Sequence, residues 1–274
     1  MHNDDPKNFP TDKPYMKGTP GKDYRSTKRA VFNLPASKLP LVEPPSSDDF
    51  RSSFHWRIFR IMSEFVDGWT FLADYKKVVT FFGSARTAAG TKWYEEARKL
   101  GNMLANAGYD VVTGGGPGIM EAANQGAHEV HEHNGSLLEN SKKVGDSIGL
   151  NIKLPFEQRT NAYVDKAVAF HYFFVRKVML SYYAQAYVFF PGGFGTLDEV
   201  FEIVTLIQTK KITAHVPIIL VGQGFWAPLI QWISSGVYEE YQAIDKDDLK
   251  IFTIVDSADE AFKIIKHTPE RTEF

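Results

Sequence analysis

The segment "FFPGGFGTLDEVFE", which begins at Phe189, sets Gly192, Gly193 and Gly195 around a bulky Phe194 and follows them with Thr196, Asp198 and Glu199. An apolar run leads into it and an amphipathic one leads out. Glycine lets a ligand approach the main chain closely. A threonine followed by acidic residues is a common helix start. The stretch therefore reads as strand, tight turn and helix N-terminus, where backbone N–H groups can hold an anion. Glu199 is expected in the first helical turn, as a carboxylate beside that anion.

Two more glycine clusters share this setting: "FGSAR", with Gly83 and Ser84, and "TGGGPGIM", with Gly114, Gly115, Gly116, Gly118 and Met120. Each closes a β-rich run, and the chain from Lys76 onward alternates strands with helix-length segments. Strands are expected in "KVVTFF", "YDVVT", "DSIGLNIKLP", "AYVFF", "VPIILV" and "LKIFTIV". Helices are expected in "TKWYEEARKLGNMLANAG", "EAANQGAHEVHEH", "AFHYFFVRKVMLSYYAQ", "TLDEVFEIVTLIQTKK", "FWAPLIQWISSG" and the C-terminal "ADEAFKIIKH". This alternation predicts one Rossmann-like, doubly wound α/β domain over 48–274, with a parallel sheet and helices on both faces. Such sheets bind ligands beyond the carboxyl ends of their strands, where all three clusters fall. The order matches neither GxGxxG after the first strand nor GxxxxGK[ST], which disfavours a standard dinucleotide site and a triphosphatase P-loop. A nucleotide pocket accounts best for three clusters on one rim.

Residues 1–47, rich in Pro, Lys, Asp and Ser, read as a flexible N-terminal extension. After them Phe54, Ile58, Met62, Phe65 and Trp69 recur at helical spacing, as in an amphipathic helix packed on its own domain, with a subunit interface as the other reading. At 274 residues and 43% hydrophobic, the chain can build a large core. A net charge of -2 gives no electrostatic case for nucleic acid. The absence of cysteine excludes disulfides, thiolate zinc sites and a cysteine nucleophile. No run approaches the ~20 apolar residues of a membrane helix, and the N-terminus is unlike a signal peptide. A cytoplasmic location is expected, with no membrane partner.

"TGGGPGIMEAAN" together with "FFVRKVMLSYYAQAYVFFPGGFGTLDE" resembles the Lonely Guy (LOG) family, often labelled lysine decarboxylases. The PGGxGTxxE pattern is met by Pro191, Gly192, Gly193, Gly195, Thr196 and Glu199. The upstream RK pair is met by Arg176 and Lys177, and the GGGxxGxM-like element by Gly114, Gly115, Gly116, Gly118 and Met120, with Pro117 inside it. The likeness spans about Lys76 to Gly236; the long N-terminal extension and the segment "GLNIKLPFEQRTNAYVDKAVAF" are like the longer bacterial branch.

The resemblance implies a nucleoside 5'-monophosphate phosphoribohydrolase acting on AMP or cytokinin riboside monophosphates, with no cofactor or metal, assembled as a homodimer or larger homo-oligomer. It implies Glu199 as the catalytic carboxylate and Arg176 as the second catalytic residue, clamping phosphate or ribose. Gly83, Ser84, Gly115, Gly116, Met120, Gly192, Gly193, Gly195 and Thr196 would bind the substrate. Asp198 and Lys177 read as surface or structural charges, and Glu121 as a ribose contact or a helix-dipole partner. His128, His131 and His133 do not share one helix face, so an exposed polar helix end is expected there rather than a metal site. The main alternative is a non-catalytic nucleotide or molybdenum-cofactor carrier on the same fold, which would not need the Arg176–Glu199 pair. A pyridoxal enzyme would need Lys177 as its Schiff-base lysine.

Overall fold

Val78–Phe82 (VVTFF) is buried at every position, as expected of a strand covered on both faces. The computed structural model, which describes residues 54–134, 144–153, 160–213, 215–268 and 271, makes this strand the central one of a seven-stranded layer. The elements in chain order are α1 Phe54–Leu72, β1 Val78–Phe82, α2 Lys92–Asn106, β2 Asp110–Thr113, α3 Ile119–Asn134, β3 Ser147–Ile152, β4 Lys166–Phe170, α4 Phe173–Tyr182, β5 Ala184–Phe189, α5 Phe194–Gln208, β6 Ile218–Val221, α6 Gln223–Trp232, β7 Phe252–Val255 and α7 Ala258–His267. A π-helical stretch, Ile233–Glu240, and a 3-10 turn, Lys246–Lys250, lie between α6 and β7.

The strands run in the order β4-β3-β2-β1-β5-β6-β7, and every neighbouring pair is parallel. Alternate side chains enter two separate cores. Val78, Phe82, Tyr187 and Phe189 join Leu72 of α1, Val175 and Met179 of α4, Ile203 of α5 and Trp226 of α6. Val79, Phe81, Val188 and Phe190 join Leu100 of α2, Ile119 of α3 and Ala261 of α7. Helices thus cover both faces, and the chain winds outward in opposite directions from the β1/β5 junction. That junction is the switch point where doubly wound sheets open a crevice.

The fold class is as expected, with two corrections. β4 is a strand that the pattern did not reveal, and Ala169 and Phe170 belong to it rather than to the following helix, which starts at Phe173. As an edge strand β4 is only part-buried until Phe170, so it lacks the unbroken apolar run of the central strands. In α1 the phase also differs. Ile61, Phe65 and Leu72 face the core, whereas Ile58, Met62 and Trp69 are exposed. A helix apolar on two sides does not reveal from its spacing which side turns inward. The expected extension, 1–47, lies outside the described residues.

Candidate active site

Three loops meet at the switch point and are tied through their backbones. After β1, Ser84 donates its N–H to the Pro191 carbonyl (3.1 Å) and accepts from the Ile119 N–H (3.1 Å). The β1 loop is thus joined both to the turn after β5 and to the start of α3. Gly118 makes the second junction possible. Its φ is +71°, and a Cβ there would run into the Ser84 carbonyl, so both conformation and space call for glycine. The preceding turn is fixed from below. The Gly115 N–H donates to Thr113 Oγ1 (2.8 Å), and its carbonyl accepts from the Asn161 N–H (2.8 Å). The Gly116 carbonyl accepts from Asn161 Nδ2 (3.0 Å).

Arg176 reaches this turn from α4. Its Nε donates to the Leu150 carbonyl on β3 (2.8 Å), and its guanidinium lies 5.7 Å from the Phe173 ring. A Cβ at Gly114 would collide with the guanidinium and would come within 3.0 Å of Met120 Sδ. Gly114 is therefore glycine because the arginine and the methionine occupy the space above it. Burial pushes the guanidinium's pKa below its ordinary value, more than the neighbouring Glu199 charge restores it.

α5 brings the opposite charge. Its N-cap is Gly193, with extended backbone and no side-chain cap, so its first N–H groups rely on whatever lies in front of them. Space for a Cβ is open at both Gly193 and Gly195, and Phe194 between them is 91% exposed. Thr196 turns the other way: it is buried, and its hydroxyl folds against Gly192. Glu199, six residues into α5, is 6% exposed, and its Oε2 has no hydrogen-bond partner. Burial pushes its carboxyl up to about 7; Lys177 and Arg176 pull it down, and Glu202 and Asp198 add to the rise.

Lys177, adjacent to Arg176, is otherwise engaged. Its Nζ hydrogen-bonds Asp198 Oδ2 (2.8 Å) and lies 2.7 Å from Glu202 Oε2, an ion pair without hydrogen-bond geometry. Burial works against its charge, yet the two carboxylates hold the ammonium protonated well above the ordinary lysine value.

The family model described as "Possible lysine decarboxylase" matches residues 120–265, more than half of the 274-residue chain. The chain belongs to this family. The cytokinin riboside 5'-monophosphate phosphoribohydrolase LOG of Oryza sativa subsp. japonica is 26% identical over 198 residues, 72% of this chain and 75% of the relative. A LOG phosphoribohydrolase of Arabidopsis thaliana is 28% identical over 172 residues, 61% of this chain and 71% of the relative. Among solved structures, the molybdenum cofactor binding protein of Rippkaea orientalis aligns with TM-score 0.49 and 20% identity, over 70% of this chain and 97% of that one. The carrier protein of Chlamydomonas reinhardtii aligns with TM-score 0.48 and 21% identity, over 70% and 96%.

In this LOG-family chain the expected residues fall on the three tied loops and on helices α3, α4 and α5, with several corrections of detail. Gly83 and Ser84 follow β1. Gly115, Gly116 and Met120 lie in the β2–α3 turn and at the start of α3, and Gly192 and Gly193 follow β5. The helix cap is Gly193 rather than Thr196, whose side chain packs under the turn. Glu199 stands in the second turn of α5, not the first. Asp198 is exposed and paired with Lys177.

The histidines also differ from expectation. His128 and His131 are half-buried rather than exposed; His128 Nδ1 lies 2.6 Å from Asp165 Oδ1 and His131 Nε2 lies 2.8 Å from the Gly145 carbonyl. The side chain of His133 lies outside the described residues. No group of three or more metal-ligating side chains gathers among the described residues. Sequence reasoning missed Asn161, which holds the glycine turn from the β3–β4 connection, and Phe173, against the Arg176 guanidinium. Phe173, three residues before Arg176, lies inside a recognised motif, whereas Asn161, 45 residues from the Gly116 carbonyl it holds, carried no local signal.

Proposed function

We propose that this protein hydrolyses the N-glycosidic bond of nucleoside 5'-monophosphates, AMP or a cytokinin riboside 5'-monophosphate, to free base and ribose 5-phosphate. One observation carries the reading. Arg176 and Glu199 bring opposite charges close to one another in a space where burial disfavours the charged form of each, and no hydrogen bond joins the two. A guanidinium in that state favours an anion, and a carboxylate in that state favours a developing cation. A nucleotide supplies both, as a 5'-phosphate and as the oxocarbenium-like sugar that forms when its base departs.

In the proposed mechanism the open N-terminus of α5 at Gly193–Gly195 and the Arg176 guanidinium hold the phosphate and ribose. Glu199 then stabilises positive charge at the anomeric carbon and accepts a proton from the attacking water. The bond from that carbon to the base nitrogen breaks and a bond to the water oxygen forms. The water's OH stays on ribose 5-phosphate, and the proton that Glu199 took passes on to the departing base, so that the carboxylate is regenerated. A carrier that only holds a phosphorylated ligand has no use for a buried, unpartnered carboxylate. Chromatography of the purified protein with AMP should show adenine and ribose 5-phosphate in equal amounts. No base release from AMP or from cytokinin riboside monophosphates would sink the proposal.

The proposed assembly is at least a homodimer, in the cytoplasm. Its support is the outer face of α1, where Phe59, Met62, Val66 and Trp69 stand exposed at alternating spacings of three and four residues. That is the seam one helix offers another. No helix among the described residues is long and apolar enough to cross a membrane. Light scattering that gives a monomer at micromolar concentration would refute the dimer.

A further inference from the structure

The helix that carries Arg176 has no cap of its own. Tyr172, its N-cap, makes no side-chain cap hydrogen bond. The missing acceptor comes from a different helix: Glu64 Oε1 accepts from the His171 N–H (2.8 Å) and Glu64 Oε2 from the Tyr172 N–H (3.0 Å). Both carboxylate oxygens are used, and the negative charge sits at the positive end of the α4 dipole. The contact continues along α4. A Cβ at Gly68 would come within 2.7 Å of Met179 Sδ and 3.1 Å of the Phe170 ring. Trp69 packs edge-on against Tyr182 at 5.8 Å. α1 thus grips α4 near its start by a charged cap and near its end by packing.

We propose that Glu64 is a positioning residue for Arg176: by closing the N-terminus of α4 it fixes how the guanidinium enters the space above Gly114. The role in catalysis rests on the hydrolase reading; the positioning itself does not. Arg176 lies one turn inside α4, with its N–H on the Tyr172 carbonyl (3.2 Å). A shift of the Tyr172 backbone therefore passes directly to it. The space above Gly114 is already filled by the guanidinium and Met120 Sδ, so a displaced arginine has no second place to settle there. The Leu150 carbonyl and the Phe173 ring hold only one edge and one face of it.

The test uses an arginine-selective dicarbonyl reagent on the substrate-free full-length chain, with labelling rates read site by site from peptide masses. In Glu64→Ala, Arg176 should label at least about threefold faster than in the wild type, with Arg98, which is paired with Glu129 on the other face of the sheet, unchanged. Glu64→Gln, which keeps the size and one acceptor oxygen, should fall between; it decides the matter if the alanine variant does not fold. Equal Arg176 rates in the folded variants and the wild type would overturn the proposal. So would a parallel rise at Arg98, because that is general loosening. Where the wild type releases adenine from AMP, the alanine variant should lose about tenfold in kcat/KM, mostly through KM, as expected when a ligand-holding group is misplaced. A wild type without base release would fail the hydrolase reading and leave the labelling comparison to judge Glu64.

Discussion

Glu199→Gln should make the protein more stable at pH 8 while abolishing base release. The carboxyl stands at about 7 against an ordinary value of 4.5, with burial as the first cause. The folded chain therefore holds this proton more tightly than the unfolded chain does. The stability that this group permits is complete below about pH 4.5 and is lost as the pH rises toward about 7. At about 1.4 kcal/mol per pH unit, the loss is about 3 kcal/mol. Glu199 is 6% exposed, so solvent screening removes little of it.

A glutamine at this position cannot ionise and escapes the loss. Urea denaturation of both proteins at about pH 4 and about pH 8 gives the stability difference, variant minus wild type, at each pH. That difference should grow by about 3 kcal/mol between them, because the other titrating groups are shared and cancel. Activity should report the same ionisation. Wild-type kcat/KM should rise through about pH 7 as the carboxylate forms, and the variant should show no such limb because it has no turnover. A stability difference that is flat with pH would refute the reasoning, since it would mean that Glu199 ionises without penalty and is not held as an unpartnered charge.

Arg176→Ala should cut kcat/KM for AMP by at least about 100-fold, the loss of one or two charged hydrogen bonds, and leave adenosine much less affected. For the wild type, AMP should exceed adenosine by at least about 100-fold in kcat/KM, since two or three such bonds at about 1.5–3 kcal/mol each hold the phosphate; similar values for the two would remove the phosphate cradle from the account. Gly193→Ala adds a methyl where nothing lies within 4 Å, at a φ of -92° open to alanine. Thermal unfolding should therefore stay within about 2 °C of wild type while the KM for AMP rises about tenfold, because the methyl fills the anion's space. Borohydride reduction in the presence of pyridoxal 5'-phosphate should leave Lys177 unmodified, because its ammonium is paired with Asp198 and Glu202; an adduct there would revive a decarboxylase reading.

The order of strands and helices was legible because the central strands are buried on both faces and therefore read as unbroken apolar runs. β4 was not, because its half-exposed "KAVAF" carries too little pattern to separate from the aromatic stretch that follows. The glycine turns were legible as turns, but not their reasons. Gly114 is set by an arginine 62 residues downstream, and Gly118 by the Ser84 carbonyl on another loop. The Thr196 reading failed on local grounds: Gly193, already in extended conformation, caps the helix three positions before the threonine. Proximity to an acidic residue could not reveal whether Glu199 or Asp198 turns inward. The difference of about 100° between neighbours on a helix decides it, and the phase of α5 is set by Val200 and Ile203 in the core.

The same one-residue offset explains how one helix pair can hold both a charged site and a structural lock. On α4, Arg176 turns toward the Gly114 loop while Lys177 turns toward α5. On α5, Glu199 is buried with its Oε2 unbonded while Asp198 and Glu202 take up Lys177. The pair of helices is thus fastened by a lysine and two carboxylates outside the site. With the helices fastened there, Arg176 and Glu199 need not bond to each other, since neither has to hold the helices together. A direct Arg176–Glu199 salt bridge would stabilise the empty protein and would have to break before a phosphate and a cationic sugar could take its place. On the proposed function, keeping the two apart would cost stability in the free protein and reserve their charge for the reacting molecule, where it would lower a barrier.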